Sequence, residues 1–351
     1  MDFLLVSESL LKVIFGTILL ASFGIVFGLF YKGIDRKLSA HMQGRIGPPL
    51  RQPFRDIVKL FTKENIVPEN AISWIFNLSP VIGLAATISI LLYLPLGGFE
   101  PILLANGDLI LILYLLIVPS LSMVIGGFSS GSPYSIVGAQ REMATMIAYE
   151  FPLAIIIISI AWRLNVVGTS NVFALSSIVA NPVWNIAGPL GFIGFVILLI
   201  VIVIVTPAEL SKIPFDSPEA ETEIAGGLLT EYSGRNLAMF YLTDGVKTVA
   251  MASLIVALFF PYNISPLLGL NSYIGYTIDI IFYLLKVLIV ILFSVTLIRV
   301  AIARLKIDQI VYTYWVPLTL LSLVGLILVM WDQTIMSNFG IQTVFEIIGL
   351  G

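Results

Sequence analysis

The composition of this 351-residue chain excludes a water-soluble protein: 58% of its residues are hydrophobic, only 11% are charged, and the mean hydropathy is +1.04. A soluble domain has about a quarter of its residues charged. The absence of cysteine and the single histidine exclude a disulfide, an iron–sulfur cluster and a multi-histidine haem or metal centre in this chain, so any redox cofactor must sit on a partner. The net charge of −3 says little, because its distribution matters more.

Eight apolar runs are each long enough to cross a bilayer, which takes roughly 20 mostly apolar residues in a helix. The first run is interpreted as a true span, since no small-residue cleavage site separates it from the basic stretch that follows. We predict an all-α, polytopic membrane protein in which residues 1–351 form a single membrane domain. The predicted spans are about 11–31, 74–96, 109–128, 143–164, 189–208, 237–260, 275–298 and 314–336.

The connections between these runs alternate sharply in positive charge. Most of the 18 Lys and Arg residues lie in four alternate stretches, and the other connections and both ends contain none. The positive-inside rule then places the basic stretches in the cytosol and both termini outside, in a cell (inner or plasma) membrane. The basic stretches are 32–73, 129–142, 209–235 and the region around 299–313.

The first basic stretch contains a rigid turn followed by an amphipathic helix. Gly47-Pro48-Pro49 cannot be helical, whereas the pattern after Pro53 repeats at helical spacing. Such a helix lies in the membrane interface with its cations toward water, lipid headgroups or a partner. It is either a simple positive-inside anchor or a docking surface, and no Gly-rich cradle suggests phosphate or nucleic-acid binding. Its apolar face contains Phe54, Ile57, Val58 and Phe61, and its cations are Arg51, Arg55, Lys59 and Lys63.

The stretch 209–235 is the most informative, because it crowds six carboxylates against only two cations, Lys212 and Arg235. Ser217-Pro218 is a good helix start and early acids suit a helix N-terminus, so a solvated acidic loop is the simplest alternative. Crowded carboxylates in a half-apolar segment raise each other's pKa, which suits a proton relay or a cation site. We expect a helix that places Glu219 and Glu223 on one face. The acids are Glu209, Asp216, Glu219, Glu221, Glu223 and Glu231.

Several charged residues fall inside the predicted spans. Glu150 lies nine residues beyond Arg141, roughly 13 Å into the bilayer at ~1.5 Å per helical residue. An ionisable group at that depth is functional by default. The sixth span contains Asp244 and Lys247 and the seventh contains Asp279 and Lys286. These residues either belong to an ion path or form neutral internal pairs that only hold helices together.

At these positions the chain resembles a known family, the complex I membrane subunit that borders the quinone site, often called subunit 1. The resemblance covers nearly the whole chain and is closest to the counterpart in energy-converting membrane-bound NiFe hydrogenases of the formate hydrogenlyase type. It is carried by MQGRIGPP at 42–49 with Gln52-Pro53, Lys59-Leu60 with Lys63-Glu64, GAQR at 138–141 with Tyr149-Glu150, and PFDSPEAETE at 214–223 with TEYSG at 230–234.

Two details favour the hydrogenase branch. Gly47-Pro48-Pro49 runs almost directly into Gln52-Pro53, where quinone enzymes have a longer Gly-rich stretch, and Gln140 stands where quinone enzymes usually have leucine. The resemblance implies a ferredoxin-dependent complex whose NiFe centre and iron–sulfur clusters sit on cytosolic large and small subunits. It also implies antiporter-like membrane subunits and lipid as further partners, and no nucleic acid.

The resemblance therefore implies a non-catalytic membrane anchor that links electron transfer in a peripheral arm to H⁺ or Na⁺ movement. The alternatives are the same subunit of a sulfane reductase or of a quinone-reducing complex I, a stand-alone ion transporter, and a purely structural anchor. We assign partner docking to Arg45, Arg51, Arg55, Lys59, Lys63, Arg141 and Arg235. We assign the proton or ion path to Glu142, Glu150, Glu209, Asp216, Glu219, Glu221, Glu223, Glu231, Asp244, Lys247, Asp279 and Lys286.

Overall fold

The structure, a computed structural model, describes residues 3–266, 268, 269, 273–339 and 343. The described part of the chain is helical and without strands, apart from one isolated bridge between Leu96 and Phe99. Eight of its helices are long and apolar enough to cross a membrane. The predicted all-α class and the predicted number of spans are both confirmed.

Two of the eight spans are interrupted by a short π-helical segment, and both segments join two α-helices into one span. The π segments are Leu292–Thr296 and Tyr314–Leu318. In chain order the α-helices are α1 (Phe3–Met42), α2 (Gln52–Thr62), α3 (Ser73–Tyr93), α4 (Asp108–Ser129), α5 (Pro133–Val167), α6 (Leu175–Ala180), α7 (Val183–Ile186), α8 (Pro189–Glu209), α9 (Glu221–Ile224), α10 (Gly234–Phe259), α11 (Tyr273–Ile291), α12 (Leu297–Ala301), α13 (Ile307–Thr313) and α14 (Thr319–Phe339).

The helix ends differ most from the prediction where polar residues follow an apolar run. Helix α1 continues to Met42 instead of ending near residue 31, and α5 begins at Pro133 instead of residue 143. Hydropathy marks the hydrocarbon boundary, whereas Lys, Arg, Gln and Glu are good helix formers that extend the helix beyond it. The amphipathic helix predicted after the Gly-Pro-Pro turn is confirmed as α2, with the turn itself non-helical.

The predicted helix through the acidic stretch is wrong. Ser217–Glu219 forms a single 3₁₀ turn, and α9 is a separate four-residue helix because Ala220 between them has extended backbone angles. Positive φ angles at Ala225 and Gly226 then end α9. Glu219 and Glu223 consequently do not lie one above the other on a shared helix face.

Part of the predicted topology lies outside the described residues. Residues 1, 2, 267, 270–272, 340–342 and 344–351 belong to this part, which includes both chain ends. The placement of both termini outside therefore stays a prediction, supported by the alternation of positive charge in the sequence.

Helix α10 forms the centre of the bundle. Its residues are almost all buried, whereas the other spanning helices are half-buried or less and turn one side toward lipid. It packs against α1, α3 and α11, and α2 lies against its loop end. A residue on α10 is thus shielded from both lipid and water unless a cavity reaches it, so the charged residues Asp244 and Lys247 must find their partners inside the protein.

Close approach of α1 to α10 depends on a glycine face. A Cβ placed on Gly28 would lie 2.6 Å from the carbonyl oxygen of Gly245, and one placed on Gly24 would lie 2.5 Å from Leu91. Helices in lipid gain little hydrophobic energy from association, so small residues that allow backbones to touch provide the van der Waals contact that holds them together. The G-x-x-x-G spacing of Gly24 and Gly28 gives α1 this face.

We predict that Gly28→Val lowers the free energy of unfolding by about 1–3 kcal/mol, because the added side chain must separate α1 from α10. SDS titration of the purified chain measures this change. Gly107→Ala is the matched control, since a Cβ at Gly107 meets nothing within 4 Å and its φ of −124° suits any residue. Equal stability of Gly28→Val and the unsubstituted chain would contradict the proposed packing.

Candidate functional site

A buried ion pair joins the central helix to α8. Lys247 Nζ lies 2.8 Å from Glu209 Oε1, and the two side chains are 5% and 1% exposed. Lys247 also donates to the backbone carbonyl of Glu209 at 2.6 Å and to Ser120 Oγ at 2.9 Å. The counter-charge of Glu209 together with these two hydrogen bonds is what permits a charge at this depth.

One turn nearer the loop side, Asp244 lies between two lysines. Lys212 Nζ is 2.5 Å from Asp244 Oδ1, and Lys32 Nζ is 2.7 Å from Asp244 Oδ2. Lys32 comes from α1 and Lys212 from the segment after α8, so the carboxylate links three parts of the chain. This trio carries an excess of one positive charge.

Glu219 lies next to this trio, in the 3₁₀ turn that follows α8. Burial raises the pKa of Glu219 to about 7, which the neighbouring lysines Lys212 and Lys32 oppose and which Asp244 and Glu142 add to. A carboxyl with that pKa changes charge near neutral pH, whereas an ordinary glutamate is fully ionised there. Glu219 is therefore able to respond to a small change in local potential.

A small cavity of about 50 Å³ brings these groups together, and we call Glu219, Lys212, Asp244, Lys247 and Glu209, which all line it, the charged axis. A wider cavity of about 370 Å³ lies on the loop side and shares Glu219, Lys212 and Asp244 with the small one. Glu219 is thus placed where the open cavity meets the buried pair. The wider cavity is also lined by Lys32, Asp35, Arg36, Asp216, Glu221, Arg299 and Arg304.

Helix α5 adds two acids beside the axis. Glu142 is buried, and Ser211 Oγ donates to its Oε2 at 3.4 Å. Glu150 lies two helical turns further along α5, and its Oε1 is buried without a hydrogen-bond partner among the described residues. Tyr149 is fully buried next to it, with its hydroxyl 3.4 Å from Ser120 Oγ.

The remaining loop acids face outward or pair with arginines. Asp216 accepts two hydrogen bonds from Arg304, at 2.9 and 2.5 Å, and Glu223 pairs with Arg141 at 2.5 Å. Glu221 and Glu223 are exposed and Glu231 is half-buried. Glu219 differs from its neighbours in the sequence because it lines both cavities, whereas Asp216 and Glu221 line only the wider one.

Asp279 and Lys286 lie apart from the axis and hold a loop. Asp279 accepts hydrogen bonds from the backbone N–H groups of Ile264 and Ser265, at 3.1 and 2.9 Å. Lys286 Nζ donates to the carbonyls of Phe260 and Tyr262, at 2.9 and 2.7 Å. Both residues fasten the connection after α10, so their contacts are those of structural residues.

Neither internal pair considered from the sequence is formed as such. Asp244 and Lys247 lie on one helix but bind different partners, the lysine pair and Glu209 respectively. Asp279 binds backbone amides and Lys286 binds carbonyls. Residue spacing along a single helix does not predict these partners, because each partner lies on a different segment of the chain.

Sequence reasoning missed three ion pairs, one of them fully buried and two of them partly buried. Lys32 contacts Asp244, Asp35 pairs with Arg299 at 3.0 Å, and Arg163 pairs with Asp332 at 3.2 Å far from the axis. The available signal for Arg163 was its position as a lone arginine in an apolar run, since such a charge needs a partner. Asp332, the acid near the end of the eighth span, is that partner in the structure.

The cations assigned to docking lie on the surface. Arg45, Arg235 and the four cations of α2 are exposed, and Arg141 is half-buried. Among the residues that the structure describes, no group of three or more His, Asp or Glu side chains is placed to hold a metal ion.

We predict that Lys247→Met lowers the free energy of unfolding by about 3–5 kcal/mol, because Glu209 is left buried without its counter-charge. The double variant Lys247→Met with Glu209→Gln should recover most of this loss, since no unpaired charge remains. SDS titration of both variants measures the difference. Equal losses in the single and double variants would show that the pair is not the source of the effect.

Comparison with known proteins supports a common origin with respiratory membrane subunits. The NADH dehydrogenase family profile matches residues 15–330. An F(420)H(2) dehydrogenase subunit from Methanosarcina mazei is 33% identical over 331 residues, which are 89% of this chain and 91% of the relative. The same subunit from Methanosarcina barkeri is 34% identical over 337 residues, 89% of this chain and 90% of the relative.

Comparison with solved structures also gives a respiratory membrane subunit. A chain of the membrane-bound sulfane sulfur reductase, an archaeal respiratory membrane complex, superposes with a TM-score of 0.79 at 30% identity, covering 92% of this chain and 99% of that chain. Both relatives are complex I-like assemblies, which is consistent with the hydrogenase-type resemblance. With eight candidate spans, the chain is a multi-pass membrane protein that belongs to the NADH dehydrogenase subunit 1 family.

Proposed function

We propose that this chain is the coupling subunit of a complex I-like respiratory complex, in which the charged axis links electron transfer in a peripheral arm to ion movement in the membrane. The observation that carries the proposal is the position of Glu219, which lines both the open loop-side cavity and the small cavity that contains the buried Lys247–Glu209 pair. A change of charge on a partner above the loop-side cavity can therefore alter the electrostatic potential at the buried Lys247–Glu209 pair.

The magnitudes support this role. One unit of charge about 10 Å from Glu219 contributes roughly 1.7 kcal/mol at an effective dielectric constant of about 20. One pKa unit corresponds to about 1.4 kcal/mol, so near neutral pH a single electron on a nearby partner cofactor shifts Glu219 from about half protonated to mostly protonated. An ordinary exposed glutamate, with its pKa near 4.5, would stay ionised through the same shift.

Lys212 passes this change inward. It lies 2.5 Å from Asp244 and lines the same cavities as Glu219, so both carboxylates compete for one ammonium group. Ionised Glu219 attracts Lys212 away from Asp244. Asp244 is then paired with Lys32 alone, and the electrostatic potential at Lys247 changes. Glu142 and Glu150 on α5 then carry the response toward neighbouring antiporter-like subunits.

The exposed loop-side cations complete the proposal. Arg45 and Arg235 are free to contact the cluster-bearing and NiFe-type subunits, and Arg141 already holds α9 through Glu223. The chain itself supplies no catalytic group in this scheme. Its contribution is to position titratable side chains beneath a redox partner.

We predict that Glu219→Gln in the assembled complex reduces turnover-linked ion transport to near background, because the amide cannot change charge. The measurement is ion uptake into proteoliposomes per electron transferred. Glu221→Gln is the matched control, since Glu221 is exposed two residues away and should retain transport. Full transport by an assembled Glu219→Gln complex would rule out this residue as the link.

A ferredoxin-dependent NiFe hydrogenase is the form of the complex that we propose, and the first loop favours it. The Gly47-Pro48-Pro49 turn is followed within three residues by α2, whose first residue is Gln52. This leaves no room for the longer Gly-rich stretch of quinone enzymes. The second candidate is the equivalent subunit of a membrane-bound sulfane reductase, since a chain of such a complex has a similar structure.

We expect the purified complex to evolve H₂ from reduced ferredoxin, with ion uptake into proteoliposomes during turnover. Gas chromatography of the headspace measures the product. A complex that transfers electrons from ferredoxin to a sulfur compound or to a quinone, and not to protons, would contradict the hydrogenase assignment. The role of Glu219 would still be tested separately, by the Glu219→Gln substitution described above.

A further inference from the structure

Helix α2 presents four cations that nothing in the described structure neutralises. Arg51, Arg55, Lys59 and Lys63 are exposed, and none of them has an ion-pair partner among the described residues. The acid on the helix, Asp56, is turned the other way and pairs with Arg36 of α1 at 3.0 Å. A positive stripe therefore faces away from the bundle.

The depth of α2 follows from what it touches on α1. Helix α1 has 40 residues and is roughly 60 Å long at ~1.5 Å per residue, about twice the hydrocarbon thickness of a bilayer. Ile57 of α2 packs with Leu29, thirteen residues before the end of α1, and with Leu242. Asp56 reaches Arg36, and Leu50 lies against Gly33.

The chain therefore turns back after the projecting end of α1, and α2 lies beside residues 29–36. This is where the apolar run of α1 changes into its polar extension, so it is the level of the lipid headgroups. A soluble partner that rests on the projecting loops does not have to descend to this level.

The outer side of α2 is not purely polar. Val58 is 64% exposed and Phe61 is 49% exposed, although Ile57 on the inner side is buried. Successive residues turn by about 100° around a helix, which sets these apolar groups beside Arg51 and Arg55 on the open side. Exposed apolar groups bordered by cations are the pattern of a helix lying in the plane of a membrane surface.

We propose that the outer side of α2 binds anionic phospholipid, with Arg51, Arg55, Lys59 and Lys63 on the phosphate headgroups and Val58 and Phe61 in the upper acyl region. Charge complementarity and depth both favour this occupant over an acidic protein surface. Arg45, Arg141 and Arg235 lie outside α2 and remain for the protein partners.

The first experiment identifies the molecule that touches the outer side. The photoreactive analogue p-benzoyl-phenylalanine replaces Phe61 in the assembled complex, which is reconstituted in nanodiscs of equal phosphatidylglycerol and phosphatidylcholine and then irradiated. Mass spectrometry of this chain should show a lipid adduct. An adduct to another polypeptide, or no lipid adduct, overturns the proposal.

The second experiment measures the contribution of charge. The variant Arg51→Gln/Arg55→Gln/Lys59→Gln/Lys63→Gln keeps Asp56 and Ile57, which hold the inner side of α2, so the helix stays in place. Each Lys or Arg at an anionic surface strengthens binding by about fivefold, and we expect retained phosphatidylglycerol to fall at least about tenfold on detergent extraction.

Lys306→Gln is the control, because it removes an exposed cation at the start of α13, which packs against α5, and it should leave the retained lipid unchanged. Equal loss of phosphatidylglycerol and phosphatidylcholine from the fourfold variant would show that charge does not select the lipid. Unchanged retention of phosphatidylglycerol would also overturn the proposal.

Discussion

The cost of an unpaired charge in a low-dielectric interior governs this structure. Lys247 and Glu209 are both buried, and each charge is tolerable because the other neutralises it and because Lys247 also donates to Ser120 and to a backbone carbonyl. The same constraint forces Lys32 and Lys212 onto Asp244. Where pairing is incomplete, as at Glu219, a carboxyl changes its proton occupancy near neutral pH instead.

Packing decides where those charges meet. Helix α10 is enclosed by the other helices, and α1 reaches it closely because Gly28 and Gly245 allow the two backbones to touch. This contact brings Lys32 within reach of Asp244, although 212 positions separate them in the chain. Stability and the proposed coupling therefore depend on the same helix contact. Other charged residues hold other parts of the bundle and do not belong to the charged axis. They are Asp279 and Lys286, which bind the loop after α10, and the Arg163–Asp332 pair.

The loop side has two kinds of positive surface that differ in depth. The end of α1 and the turn at Arg45 extend beyond residues 29–36 of α1, which α2 contacts, and this suits protein partners. Helix α2 lies lower, against Leu29 and Leu242, and combines cations with exposed apolar groups, which suits lipid. On this proposal the cations assigned to docking have two kinds of partner, because the chain turns back after Met42 and α2 lies beside residues 29–36 of α1.

The sequence by itself determined the all-α class, the eight spans, the interfacial helix and the family, since these depend on apolar run length, helical periodicity and long local motifs. It also marked Glu150, Glu209 and Lys247 as charges that require an explanation. Only the tertiary structure decided which partner each charge has. Lys247 binds Glu209 and not Asp244, Glu219 enters a cavity whereas Glu223 faces outward, and Lys32 joins the axis from α1. Pairing and burial depend on contacts between residues distant in the chain and on one break at Ala220, and neither is encoded in local spacing.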